Sequence, residues 1–172
     1  MSRTFVVYES MFGNTRDIAA AVAEGAAEAG PVTFVEVGEA PDRLPDDVGL
    51  LFVGGPTHAF GMSRPATRDS ARQQAGGPLV SERRGVREWL AGLDGRSKVT
   101  AHCFDTRVRV RGLPGSAARG MRRVLRRAGV TTGTAESFWV AGTPGPLVRG
   151  EVERARGWAR GLAAAHGART AR

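Results

Sequence analysis

The amino-acid sequence predicts a single-domain α/β protein with a doubly wound, five-stranded parallel sheet that is covered by helices on both faces. Runs rich in β-branched and aromatic residues alternate with segments of helical periodicity along the chain. The run at 50–53 is apolar at every position, which is typical of a strand buried on both faces. A length of 172 residues, 41% of them hydrophobic, suits one sizeable core. We therefore expect one domain over residues 1–166 and a frayed tail over 167–172.

The first half of the chain contains three predicted strands and one long helix. Residues 4–8, 32–37 and 50–55 form the strands. Apolar residues at a spacing of four predict a helix from Asn14 to about Ala29, which Gly30 and Pro31 end. Prolines in the segment between the second and third strands leave room there only for a turn or a short helix.

The second half repeats the scheme. A short helix over 86–93 precedes a fourth strand over 99–104, and Ser116 is a suitable N-cap for the next helix. A fifth strand over 134–140 and a last helix over 152–163 complete the chain. Ligands of such sheets bind beyond the C-terminal ends of the strands, near the point where the strand order reverses. The loops that follow the strands are therefore the expected place for a site.

The loop after the first strand has the composition of an anion cradle. It reads Ser10-Met11-Phe12-Gly13-Asn14-Thr15 and leads into a helix N-terminus, whose unpaired N–H groups and dipole favour an anion. Hydroxyl and amide side chains add donors, and Gly13 permits close approach of the backbone. No lysine of the P-loop type is present in it. These residues alone favour equally a site for one phosphate monoester and a capped helix start without a ligand.

A second loop decides between these interpretations. The third strand ends in Val53-Gly54-Gly55-Pro56-Thr57-His58-Ala59-Phe60-Gly61, at the same edge of the sheet. With both loops in place, the chain resembles the flavodoxin family, which has a hydroxyl- and glycine-rich phosphate loop after its first strand and a G-S/G-P-T-x segment after its third. The resemblance covers nearly the whole chain in the order and spacing of the elements.

The resemblance implies a bound FMN. Its phosphate would lie on the first loop and its isoalloxazine ring against the second, with a third contact segment after the fourth strand. Phe60 and Phe104 would supply aromatic contacts, and Arg107 would act on the ring if it pointed at it. The cofactor-binding residues implied in this way are Ser10, Met11, Phe12, Gly13, Asn14, Thr15, Pro56, Thr57, His58, Ala59, Phe60, Gly61, Phe104, Asp105, Thr106 and Arg107.

Two features depart from the family pattern. The chain is basic, with a net charge of +8, whereas many flavodoxins are strongly acidic and hold the ring between a tryptophan and a tyrosine. Residues 62–85 form a long arginine-rich loop in which Arg64, Arg68 and Arg72 recur at helical spacing. We expect this loop to be either a mobile cover over the ring, where it would meet an anionic substrate or an acidic partner, or a disordered insertion.

The favoured function is that of an FMN-binding electron carrier that serves a redox partner protein or a small-molecule acceptor. One alternative is an FMN-dependent NAD(P)H reductase of a quinone-like acceptor. The other is a flavodoxin-fold binding module that has lost FMN. The residue pattern predicts no catalytic group and no metal site, because no His, Cys and carboxylate cluster has a suitable spacing.

Composition indicates the setting. Lys98 is the only lysine, so we attribute the arginine excess to high-GC codon usage, which disfavours a nucleic-acid partner. Five arginines on one face of the helix after Ser116 are interpreted as solvated, with docking of an acidic protein or a polyanion as the alternative. A single cysteine, Cys103, and the lack of a signal peptide or a long apolar run predict a cytoplasmic protein without membrane contact. The sequence does not indicate the oligomeric state.

Overall fold

The computed structural model describes residues 2–94 and 98–171. In chain order the elements are β1 (Arg3–Tyr8), α1 (Asn14–Ala27), β2 (Val32–Glu36), β3 (Val48–His58), β4 (Gly61–Met62), α2 (Pro65–Ala75), α3 (Val86–Gly92), β5 (Thr100–Val108), α4 (Ala117–Arg127), β6 (Thr131–Val140) and α5 (Glu151–Thr170). Five strands of the sheet are parallel, in the order β2-β1-β3-β5-β6, and the two-residue β4 runs antiparallel to the end of β3. The predicted doubly wound five-stranded parallel sheet is confirmed.

Two apolar layers sandwich the sheet. Along β1, Phe5 and Val7 face the layer formed with α3 and α4, while Val6 faces the layer formed with α1 and α5. The backbones of α1 and α5 approach closely at Gly25, where a Cβ atom would overlap the carbonyl group of Arg156. Helices on both faces explain the continuous apolar run in β3.

Two segments are more regular than the sequence predicts. The segment at 62–85, expected to be a loop throughout, contains α2 because Pro65 occupies its first position and the Thr67 hydroxyl accepts from the Arg64 N–H. The tail expected to fray from residue 167 continues α5 to Thr170, whose hydroxyl donates to the His166 carbonyl. The segment between β2 and β3 contains turns and no helix.

The chain order of the strands reverses between β1 and β3, so the loops after these two strands lie side by side at the C-terminal edge of the sheet. The ends of β5 and β6 lie at the same edge. Within the described ranges, no helix combines the length and the apolar character that crossing a bilayer requires.

Candidate functional site

A cleft opens at this edge, where the loops after β1, β3, β5 and β6 converge. Ten of the sixteen residues that the sequence implicates are among those that line it. The other six do not line the cleft: Gly13, Ala59, Phe60, Gly61, Phe104 and Asp105. The lining residues are Ser10, Met11, Phe12, Asn14, Thr15, Pro56, Thr57, His58, Thr106, Arg107, Val108, Val140 and Thr143.

The loop after β1 presents neutral hydrogen-bond donors to the cleft. Gly13 adopts a φ of 101° as the N-cap of α1, and its N–H donates to the buried Ser10 hydroxyl at 3.1 Å. The Ser10 oxygen therefore acts as an acceptor, which leaves its proton to be donated elsewhere. The amides of Asn14 and Thr15 belong to the first turn of α1, where no preceding helical carbonyl is available. The donors and the helix dipole together suit an anion.

Residues 65–85, which we call the brace, hold this loop from behind. The Val80 N–H donates to the Met11 carbonyl at 3.1 Å, and the Ser81 N–H donates to the Ser10 carbonyl at 2.8 Å. In return the Ser10 N–H donates to the Ser81 hydroxyl at 2.9 Å. Met11 packs against Leu79 and against Ala71 of α2. The segment expected to cover a ring thus supports the phosphate-type loop.

A buried polar network fixes the brace to the sheet. Glu9, at the end of β1, accepts from the Ser63 hydroxyl and from the Val86 N–H, and burial raises the pKa of its carboxyl group. Arg68 donates to Ser63 at 2.9 Å and to Glu88 at 3.1 Å. Partial burial tends to raise the pKa of Glu88, but the hydrogen bond and the charge of Arg68 outweigh it, so the pKa of Glu88 is lowered. This network connects α2 and α3 to the strand end that precedes the cleft.

Two of the three arginines that recur at helical spacing, Arg68 and Arg72, are engaged within the protein. The Arg68 guanidinium is buried and engaged by Ser63 and Glu88, and Arg72 forms an ion pair with Asp69 at 2.9 Å. The expectation that these arginines would meet a substrate or a partner is therefore wrong for Arg68 as the structure stands. Burial and the nearby charge of Arg68 also lower the pKa of His58 in the cleft wall.

The opposite wall of the cleft is a strained hairpin. Ala59 and Phe60 connect β3 to β4 with φ angles of 43° and 72°, a backbone region in which residues other than glycine are uncommon. Phe60 is 57% exposed at the hairpin tip, and Gly61 pairs with His58 behind it. Strain of this kind persists only where the surroundings enforce it and is concentrated at functional sites.

Phe104, in β5, lies outside the cleft. Its side chain is fully buried and packs against Phe138 and Trp158. Gly54 of the neighbouring strand makes room for it, because a Cβ atom there would overlap the Phe104 ring. Phe104 belongs to the core beneath the cleft and does not line it.

Asp105 is also buried, and it organises the start of α4. One of its carboxylate oxygens accepts from the Thr57 hydroxyl at 3.0 Å, the Ser116 hydroxyl at 2.6 Å and the Ala118 N–H at 3.0 Å. The Ser116 side chain also caps the Arg119 N–H, which confirms the predicted N-cap. Asp105 thus positions Thr57, which lines the cleft, without facing the cleft itself.

Arg107 lines the cleft, but its guanidinium group is engaged by the loop after β5. It donates to the carbonyls of Gly115 at 2.5 Å and Leu113 at 3.0 Å, and it lies 5.6 Å from the centre of the Trp139 ring. Thr106, by contrast, reaches Thr15 through a hydroxyl–hydroxyl contact of 2.7 Å.

The sequence interpretation missed the loop after β6. Thr143 lines the cleft, and the Asn14 side-chain amide donates to the Pro144 carbonyl at 3.1 Å. Gly145 lies against the same Asn14 side chain, where a Cβ atom would crowd it. The available signal was the position of this Gly- and Pro-rich loop after the last parallel strand. Asn14 is therefore engaged in closing the cleft.

Other reactive side chains are part of the core. Burial raises the pKa of Cys103 to about 12, which makes its thiol inert. Burial lowers the pKa of His102 to about 4, and its ring packs against Phe52 and Trp158. Among the described residues, no cluster of His, Cys, Asp and Glu is suited to a metal ion.

Comparison with known proteins identifies the fold. No family model and no curated protein sequence matches the chain. Among solved structures, a flavodoxin from Streptococcus pneumoniae TIGR4 is 18% identical with a TM-score of 0.65, over 95% of this chain and 99% of that one. Flavodoxin 1 from Bacillus cereus is 14% identical with a TM-score of 0.64, over 98% of each chain.

An archaeal flavodoxin is similarly related, at 15% identity and a TM-score of 0.63 over 95% of this chain and 98% of that one. These neighbours are matched over nearly their whole length. The chain has the flavodoxin-like fold that the two loops predicted.

Proposed function

We propose that this protein binds FMN in the cleft and carries electrons between redox partners. One observation supports the proposal above the others: the neutral loop at 10–15 lines one side of a cleft that is walled on its far side by Pro56, Thr57 and His58. The first end would take an anion, and the second end would take a flat ring. The flavodoxins that share this fold add support.

The donors of the loop after β1 would hold the phosphate. The hydroxyls of Ser10 and Thr15 and the backbone amides of residues 11, 12, 14 and 15 would donate to its oxygens, and the dipole of α1 would favour its charge. The Gly13 amide is already used by the Ser10 hydroxyl. Neutral donors suffice because hydrogen bonds to a charged acceptor are each worth about 1.5–3 kcal/mol. The brace keeps these donors in place before the ligand arrives, which reduces the entropic cost of binding.

The second end of the cleft would hold the ring. Pro56, Thr57 and His58 would form one wall for it, and the exposed Phe60, which does not line the cleft, would supply an aromatic contact from the hairpin tip. His58 remains neutral at pH 7 because burial lowers its pKa, so it would act as a hydrogen-bonding group without adding charge. When bound, FMN supplies one- and two-electron chemistry.

The visible spectrum of the protein after incubation with FMN and gel filtration tests this proposal. Flavin bands that elute with the protein support FMN binding, and a colourless protein contradicts it. Anaerobic addition of NAD(P)H then distinguishes the roles. Bands that are bleached by photoreduction and not by NAD(P)H support a carrier, whereas rapid bleaching by NAD(P)H identifies a reductase.

A further inference from the structure

The positive charge of this protein is concentrated in one segment. Residues 106–135 contain eight arginines and no Asp or Glu. Removing those eight from the 25 Lys and Arg residues leaves 17, which equals the number of Asp and Glu residues. The remainder of the chain is therefore formally neutral. High-GC codon usage accounts for arginine throughout the chain, but it does not account for the absence of Asp and Glu from this segment.

The described arginines of this segment form no salt bridge, although the charge of Arg109 helps to lower the pKa of Glu151. Elsewhere, arginines pair with carboxylates, as in Arg84 with Asp42 and Arg156 with Glu24. In the described part of the chain, no ion pair includes an arginine between positions 107 and 127. Six of these arginines are exposed to solvent: Arg109, Arg111, Arg119, Arg123, Arg126 and Arg127.

Exposed apolar side chains occur on the same surface. Three of the four large hydrophobic residues that are exposed in the described structure are Phe60, Val110 and Leu113, at 57%, 50% and 40%. The loop that carries Val110 and Leu113 abuts the hairpin, because Gly115 packs directly against the Phe60 backbone. Leu113 and Arg119 also line one shared hollow. Apolar and basic side chains therefore form one continuous surface.

We propose that this surface docks an acidic redox protein. We call it the basic rim and define it as Phe60, Arg109, Val110, Arg111, Leu113 and Arg119. An apolar centre with arginines around it is the usual composition of a protein–protein interface, and unpaired positive charges steer an acidic partner to it. The proposal rests on the proposed function, because the partner is identified as the protein that exchanges electrons with the cleft.

The position of the basic rim supports a role in electron exchange. The loop that carries it follows Arg107 and Val108, which line the cleft, and it touches the hairpin that forms the far wall. A partner seated on the rim would lie beside the ring end of the cleft. A nucleic acid would instead use the arginines along α4 and gain little from exposed apolar side chains, so an acidic protein fits the whole surface better.

Titration of the ¹⁵N-labelled protein with cytochrome b5, an acidic haem protein, tests the inference, with the basic cytochrome c as the opposite-charge probe. We expect chemical-shift changes at residue 60 and at 109–113, and weaker binding at higher salt. The double variant Arg109→Gln/Arg111→Gln should weaken the binding of cytochrome b5 at least about tenfold.

The matched control is Arg126→Gln/Arg127→Gln, which removes the same net charge from exposed arginines that form no salt bridge and lie outside the rim. It should change the affinity less than about twofold. Equal weakening by both double variants would overturn the inference, since only net charge would then matter. It would also be overturned by equal binding of cytochrome c, or by a 20-bp DNA duplex that binds more tightly with shifts confined to α4.

Binding is measured with and without added FMN, so the two proposals can fail separately. Binding at the rim by a protein that retains no FMN supports the docking surface and contradicts the proposed function. Retention of FMN without binding at the rim contradicts the docking surface alone. With FMN retained, one electron passing from the reduced protein converts ferric to ferrous haem. That rate should fall in the Arg109→Gln/Arg111→Gln variant.

Discussion

The two ends of the cleft are built in contrasting ways. The loop at 10–15 is held from behind by the brace, from the side by Thr106 and from above by the Pro144 carbonyl. The hairpin at the other end has a strained tip and an exposed Phe60. Fixed donors suit an anion, because dipoles that are already oriented need no reorganisation. An accessible edge suits a ring that exchanges electrons with other molecules.

Loss of the brace should have the largest effect. Arg68→Ala leaves Glu88 and Ser63 without their buried partner, and we expect unfolding free energy to fall by about 3 kcal/mol or more. Urea denaturation measures this change. Arg72→Ala in the same helix removes only an exposed pair with Asp69 and should cost less than about 0.5 kcal/mol. Equal costs would show that the brace is not anchored through Arg68.

Acid sensitivity should arise away from both ends of the cleft. His102 has a pKa of about 4 in the folded protein, below its ordinary value of about 6.5, so the unfolded chain binds the proton more strongly. Its stabilising contribution is complete above pH 6.5 and is lost as pH falls towards 4, at a cost of about 3 kcal/mol.

Urea denaturation at pH 7 and at pH 4.5 measures this loss. In His102→Leu, the difference in unfolding free energy between the two pH values should be clearly smaller than in the unsubstituted protein. Burial also lowers the pKa of His166, and this histidine contributes equally to the pH dependence of both proteins. If the difference between pH 7 and pH 4.5 were the same in the variant, another group would be responsible for the acid sensitivity.

Loss of the Ser10 hydroxyl should weaken binding at the anion end of the cleft and leave binding at the ring end nearly unchanged. Ser10→Ala removes a hydroxyl that faces the anion end, and we expect FMN affinity to fall about 10- to 100-fold. Riboflavin, which lacks the phosphate, should bind the variant within about threefold of its affinity for the unsubstituted protein. Flavin fluorescence titration measures both ligands. A parallel loss for riboflavin would mean that the substitution had distorted the whole cleft.

Relief of the strained hairpin should have the smallest effect and should act in opposite directions on folding and binding. Phe60→Gly suits the φ of 72°, so unfolding free energy should rise by about 1 kcal/mol. FMN affinity should fall about threefold to tenfold because an aromatic contact is lost. Thermal unfolding and ligand titration measure the two effects. A drop in stability would show that Phe60 packs against the protein more than it strains the backbone.

The sequence predicted the features of the cleft that depend on local patterns and missed those that depend on contacts between distant residues. The order of strands and helices along the chain and the donors of the loop at 10–15 follow from local patterns, since each is encoded within one short segment. The backbone pairing of residues 80–81 with residues 10–11 joins positions 70 residues apart, and no local pattern encodes it. The segment was therefore expected to be a mobile cover or a disordered insertion, and the structure shows it pairing with the loop at 10–15.

Side-chain direction was the second source of error. Phe104, Asp105 and Thr106 are consecutive in β5, and their side chains alternate between opposite faces of the sheet. Only Thr106 reaches the cleft, because Phe104 fills the core and Asp105 binds the start of α4. The sequence predicted this strand and the presence of the site near its C-terminal end. The direction of each side chain depended on the register of β5 against β3, which the structure supplies.

The affinity ratio between FMN and riboflavin tests the central claim most directly. Both ligands carry the same ring, so the ratio isolates what the loop at 10–15 contributes. If its donors hold the phosphate, FMN should bind at least about a hundredfold more tightly in a fluorescence titration at pH 7. Equal affinities, or no binding of either flavin, would contradict the account and leave Ser10 to Thr15 as a helix start without a ligand.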